Sequence, residues 1–207
     1  MSFCVDIEGD KKLVFIHIPK NGGMALIKSI EHLKPQNSPV GHLTFLETQK
    51  ILEKNLSHFY FCISRNPWER MVSYYHYISQ SNPYEHGVSD LHEKINSGMS
   101  FEEFVNTLVV DGRNIFRPQY EYMIDENKDI SLEVLKLDSI EDSLSDFFTK
   151  HNLVKDFNIT KTNTSNHSHY SDYYNSTDLI EKVALFERGI IDYHNYIFEK
   201  QSVSLTS

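Results

Sequence analysis

Apolar residues in this chain gather into short unbroken runs and into helical stripes, and the two kinds alternate. Leu13, Val14, Phe15, Ile16 and Ile18 make a β-type run that Pro19 ends, and residues 24–30 follow with good helix formers. Residues 59–63 form a second such run. Behind it residues 67–79 read as a helix, with Asn66 as N-cap, Pro67 at the first helical position and Glu69 in the first turn. Between the two, residues 44–54 read as helical and open on a capping box, Thr44 with Glu47. Ser100 and Glu103 repeat that pattern at the head of a helix over 100–110. Residues 133–137 read as a strand, and 139–151 carry Ile140, Leu144, Phe147 and Phe148 at helical spacing. Helices over 177–186 and 189–198 close the chain, and the polar segment 79–97, with His86 and His92, reads as surface loop or as the lining of an acceptor cleft, the loop being favoured. Strands that alternate with helices imply an α/β fold with a parallel sheet covered on both faces, and ligands at the strands' carboxyl ends.

Both early strands end on residues with chemistry. Lys20, Gly22 and Gly23 follow the first one. Glycines there allow close backbone approach, the helix start behind them offers N–H groups and a positive dipole end, and the lysine adds a full charge. Phosphate or sulfate is the guest such a turn suits. The nucleotide-triphosphatase signature is absent, because no Gly-Lys-Ser/Thr stands four residues after a first glycine. Arg65 ends the second strand and Ser73 lies two turns into the helix behind it; a guanidinium fork and a hydroxyl suit a phosphate monoester. His42 stands just ahead of the Thr44 cap. Each residue alone also fits a plain role, as a connection, a helix-flanking charge, a solvated serine or a cap-region histidine.

Taken in order, HIPKNGG at 17–23 and RNPWERMVS at 65–73 resemble the carbohydrate sulfotransferases, whose patterns read H-I-P-K-T-G-G-T-S and R-N-P-(W/F)-x-R-(L/M)-x-S. The likeness takes in Gly41-His42-Leu43-Thr44-Phe45, Pro118-Gln119-Tyr120, Thr162-Asn163-Thr164-Ser165 and Asp192-Tyr193-His194-Asn195-Tyr196, so it covers roughly residues 12–198. It implies a three-layer, P-loop nucleotide-binding-like fold and a single sulfotransferase domain over 1–207. It also implies transfer of a sulfuryl group from 3′-phosphoadenosine-5′-phosphosulfate (PAPS) to a sugar or other small hydroxylated acceptor, leaving adenosine 3′,5′-bisphosphate. By the same resemblance Lys20 stabilises the leaving phosphate, and the amides of Asn21, Gly22, Gly23 and Met24 hold the 5′-phosphate. Arg65 and Ser73 bind the 3′-phosphate. Lys161, Asn163, Thr164 and Ser165 close over the adenosine end, and His42 matches the general base of the heparan sulfate 2-O-sulfotransferase branch. The chain departs from the pattern at Asn21, Met24 and Ala25, which remove three hydroxyls from the loop. A non-catalytic nucleotide- or glycan-binding relative is therefore the main rival reading. A P-loop small-molecule kinase fits less well, since it wants a Ser/Thr after the lysine and an acidic partner on a neighbouring strand.

Composition adds bounds. At 207 residues, 40% hydrophobic and 13% aromatic, the chain can fill one sizeable core. A net charge of −9 argues against general nucleic-acid binding and against a strongly anionic polymer as acceptor, with Arg70, Arg113 and Arg117 as candidates for a local basic patch. Tyr74, Tyr75 and Tyr77 offer faces for a sugar ring, or core packing. Two cysteines, Cys4 and Cys62, make no disulfide framework and fit a reducing cytoplasm; no run has the length of a membrane span. His167 and His169, with only Asp172 near, do not make a zinc site, so no metal is expected. His17 reads as buried and hydrogen-bonded.

Overall fold

The structure, a computed structural model, describes residues 3–6, 11–29, 36–37, 42–52, 58–80, 82, 88–110, 116–152 and 167–201. Its residues group into two compact units, Met1–Arg65 with Gln119–Thr164, and Asn66–Pro118 with Ser165–Ser207.

The first unit holds a five-stranded sheet in the order β3-β1-β2-β4-β5, formed by β1 (Phe3–Asp6), β2 (Lys12–Ile16), β3 (Gln36–Asn37), β4 (Phe59–Ser64) and β5 (Glu133–Lys136). Strands β2, β4 and β5 run parallel, with Phe15 opposite Phe61 and Ile63 opposite Leu135. This is the parallel centre that the alternation implies. At one edge β1 and β3 add antiparallel pairs, Cys4 with Val14 and Cys4 with Gln36, so the whole sheet is mixed.

Side chains alternate across the sheet. On one face Leu13, Phe15, Phe61, Ile63 and Leu135 pack with Leu26 of α1 (Gly23–Ser29) and with Leu144, Phe147 and Phe148 of α6 (Ile140–Lys150). Ring centroids there lie 5.1 Å apart for Phe15 and Phe61 and 4.9 Å for Phe61 and Phe147. On the other face Phe45 of α2 (Phe45–Ile51) meets Tyr60 edge-on at 5.0 Å. Helices thus cover both faces, which is why β2 from Leu13 on and the end of β4 are buried without a break.

The second unit is helical: α3 (Pro67–Gln80), α4 (Ser89–Asn96), α5 (Phe101–Val110), α7 (Thr177–Phe186) and α8 (Arg188–His194), with a 3-10 turn at Tyr170–Tyr173. The start of α3 follows its local chemistry, for Asn66 Oδ1 accepts from the N–H groups of Trp68 (3.1 Å) and Glu69 (3.2 Å).

Three expectations change here. The segment 79–97 is not simply a loop, because Val88, Leu91 and Ile95 fall three and four residues apart and bury one side of α4, which carries His92. His86 lies outside the described residues. Arg70 belongs to no basic patch: it is fully buried, paired with Glu187, and its guanidinium stands 4.0 Å from the centre of the Phe116 ring. Finally, α8 stops at His194, because Asn195 turns left-handed at φ 55°, four residues before the end expected from the sequence.

Tyr74 is buried and stacks on Phe116 at 4.4 Å, while the Tyr75 hydroxyl donates to Met99 O at 3.0 Å. Both pack within the unit. Cys62 is buried inside β4, where burial pushes its thiol well above the usual range, and Cys4 is also a free thiol. Among the described residues no helix is long and apolar enough to cross a membrane, and no group of three or more His, Cys, Asp or Glu could hold a metal ion.

A candidate anion site at the ends of β2 and β4

Past Ile16 the chain keeps His17 and Ile18 buried, turns at Pro19 and Lys20, and enters α1 at Gly23. Two residues of the turn are left-handed, Lys20 at φ 70° and Gly22 at φ 75°. Glycine takes that conformation freely, whereas a lysine there costs on the order of 1–2 kcal/mol. The strain is held by named contacts. Arg65 Nη1 donates to Lys20 O at 3.0 Å, and the Asn21 N–H donates to Ile18 O at 3.3 Å. Packing demands the second glycine as well: a Cβ on Gly23 would run into the buried His17 ring, whereas one on Gly22 would meet only the flexible end of Leu137.

Electrostatically the turn is cationic. Burial, and then the Arg65 guanidinium beside it, bring the Lys20 ammonium down from 10.5 to about 8. Neighbouring like charges at strand ends are relieved by an anion, so the residues present fit a phosphate or sulfate group.

Asn21 and Gln119 complete the arrangement. The Asn21 side chain turns inward, 1% exposed, and its Nδ2 donates to Ile63 O and to Gln119 Oε1, both at 2.7 Å. Gln119 is fully buried at the head of a 3-10 turn, Gln119–Tyr122. Its Oε1 also accepts from the Arg65 N–H (2.9 Å), and its Nε2 donates to Arg65 O (2.9 Å). The sequence gives Gln119 only as part of a Pro-Gln-Tyr likeness. Nothing local reveals that its amide reaches back to residue 65.

His42 is exposed and sits two residues before Thr44, the N-cap of α2, whose capping box forms as expected: Thr44 N–H to Glu47 Oε2 at 2.7 Å, and Glu47 N–H to Thr44 Oγ1 at 3.2 Å. Its Nδ1 lies 3.1 Å from His17 O, and the two imidazole rings are 4.6 Å apart. A carbonyl accepts only, so this bond puts the proton on Nδ1 and the lone pair on Nε2. His17, buried as expected, lies between His42 and Gly23.

The first unit thus brings together Lys20, Asn21, Gly22, Gly23, Arg65 and the newly found Gln119, with His42 joined through His17. Met24 is 46% exposed at the start of α1. Ser73 is buried in α3 of the second unit. Lys161, Asn163, Thr164, Ser165 and Arg113 lie outside the described residues. His167 Nδ1 donates to Ser168 O at 2.7 Å and its ring stacks on His76 at 5.0 Å, and His169 caps the Tyr170–Tyr173 turn by accepting from the Ser171 N–H.

Among solved structures, mouse sulfotransferase SULT7A1 complexed with PAP is similar, with 15% sequence identity over 91% of this chain and 84% of that chain and a TM-score of 0.49. No curated protein gives a significant sequence match. The model of the family described as "Sulfotransferase family" matches residues 5–187, a span that runs through both strand-to-helix turns and most of the chain. By that match the chain belongs to the sulfotransferase family.

Proposed function

We propose that this protein moves a sulfuryl group from PAPS to a hydroxyl of a carbohydrate or other small acceptor. The observation that carries the reading is the pair of cations at the ends of β2 and β4, Lys20 and Arg65, close enough for the guanidinium to bond Lys20 O and to lower the lysine's pKa. Family membership supports the reaction class. The matched span 5–187 includes parts of both units, which supports one sulfotransferase domain.

Bound PAPS supplies an activated sulfuryl group on a phosphate leaving group. Lys20 meets the charge that grows on that phosphate, and of the amides from Asn21 to Met24 those of Gly22 to Met24 hold it, since the Asn21 N–H is taken by Ile18 O, while Arg65 and, by the motif, Ser73 take the 3′-phosphate. The resemblance gives the adenosine end to the stretch from Lys161 to Ser165. His42 takes the acceptor's proton on Nε2, and its Nδ1–H stays on His17 O, whose dipole favours the imidazolium that results. Positioning and charge stabilisation carry most of such a transfer, as in phosphoryl chemistry. The free thiols at Cys4 and Cys62 suit a reducing, cytoplasmic setting.

Thermal-shift titration with adenosine 3′,5′-bisphosphate, 5′-AMP and ATP with Mg²⁺ tests the cofactor. The bisphosphate should stabilise the protein far more than either of the others, and equal shifts would remove the assignment. Transfer of radiolabelled sulfate onto a panel of neutral and sulfated glycans then identifies the acceptor; tight bisphosphate binding without transfer to any hydroxyl would favour a non-catalytic relative.

A further inference from the structure

We propose that Asn21 and Gln119 are positioning residues of the nucleotide site, a buried amide bracket that sets Arg65 against the Lys20 turn. The proposal rests on the reading of that site given above. Pairing in β4 ends at Ser64, opposite Lys136, so the main chain of Arg65 lies beyond the ladder. Gln119 takes over there as a neighbouring strand would, accepting from the Arg65 N–H and donating to its carbonyl, both at 2.9 Å.

From the same amide the contacts run on in a closed ring. Gln119 Oε1 accepts from Asn21 Nδ2, Asn21 follows Lys20 in the chain, Lys20 O accepts from Arg65 Nη1, and the Arg65 main chain returns to Gln119. Asn21 Nδ2 also donates to Ile63 O, so the turn is tied to β4 directly. Asn21 Nδ2 and both polar atoms of the Gln119 amide are engaged, and Gln119, whose oxygen accepts twice while its nitrogen donates, admits a single orientation. A ring of this kind sets the separation of the two cations before any ligand arrives. Misplacement of a binding group by about 1 Å is enough to cost on the order of 10²-fold in rate.

The test uses Gln119→Met and Asn21→Leu, neutral changes of similar size, singly and together, with two readouts. In the ligand-free protein, NMR titration of the Lys20 side chain should move up from about 8 in each variant, because Arg65 is no longer held beside it. By calorimetry, the preference for adenosine 3′,5′-bisphosphate over 5′-AMP should fall at least about tenfold in each single variant, and the double variant should lose no more than either single one. Folded variants that keep both the Lys20 midpoint and the wild-type preference overturn the proposal. So does loss of cooperative unfolding in both single variants, since the pair would then serve the fold alone. A wild-type protein that shows no preference for the bisphosphate overturns the sulfotransferase reading instead, and the Lys20 titration still decides whether the bracket places Arg65.

Discussion

Lys20 combines a left-handed backbone with an ammonium beside a guanidinium, and both features cost stability in the ligand-free protein. Its folded pKa, about 8, lies below the ordinary 10.5, so between those values the unfolded chain holds a proton that the folded one has released. Stability linked to Lys20 is therefore fully present above pH 10.5, falls as pH drops through that window, and stays at its lower level below about 8. Nucleotide binding runs the other way. An anion favours the charged lysine, so affinity for adenosine 3′,5′-bisphosphate should be nearly level from pH 7 to 8 and then drop toward tenfold per pH unit; calorimetry from pH 7 to 10 measures it. A flat profile, or the same slope in Lys20→Met, would show that the ammonium does not meet the nucleotide. His42 should behave differently. His42→Ala should leave bisphosphate affinity intact and lower sulfate transfer by about 10²–10⁴, the scale for removing a general base. Wild-type turnover in that variant would move the base role to another residue.

At the scale of elements, the second unit is organised by an ion pair that a solvated-surface reading of the sequence misses. Arg70 on α3 reaches Glu187 at the carboxyl end of α7 and also donates to Arg117 O at 3.1 Å. Removing one partner of a buried pair leaves the other charge uncompensated, so Glu187→Gln should cost about 3–5 kcal/mol in urea unfolding, whereas Arg70→Met with Glu187→Met should recover much of it. An equal loss in the single and double variants would mean that packing, not charge, is at stake. Elements whose limits are written in local chemistry were legible from sequence. The Asn66 cap and Pro67 announced α3, the Thr44 and Glu47 box announced α2, and unbroken apolar runs announced β2 and β4. Elements set by distant partners were not. The four residues of β1 gain their order from Phe15 and Val14 across the ladder, and α4 is secured by three apolar residues in an otherwise polar stretch.

For the whole molecule, a net charge of −9 surrounds a cationic site, so anionic ligands must be drawn in by local fields at Lys20 and Arg65 and not by the protein's overall charge. The site was legible to the extent that its residues lie in two contiguous motifs. Lys20, Gly22, Gly23 and Arg65 fall at the strand ends where an α/β sheet puts ligands. Gln119 was not legible, because the meaning of a buried amide depends on partners 98 and 54 residues away in the chain. Those separations bear on how the molecule is made. Arg65 and Gln119 are the last residue before and the first residue after the excursion Asn66–Pro118. Their bonds can close only once that stretch has returned, and the entropy of closing a long loop must be met before such contacts repay it. The parallel pairing of β5 with β4 spans the same excursion, so the far edge of the sheet and the bracket behind the Lys20 turn wait on one return of the chain, and a protein caught before it has neither.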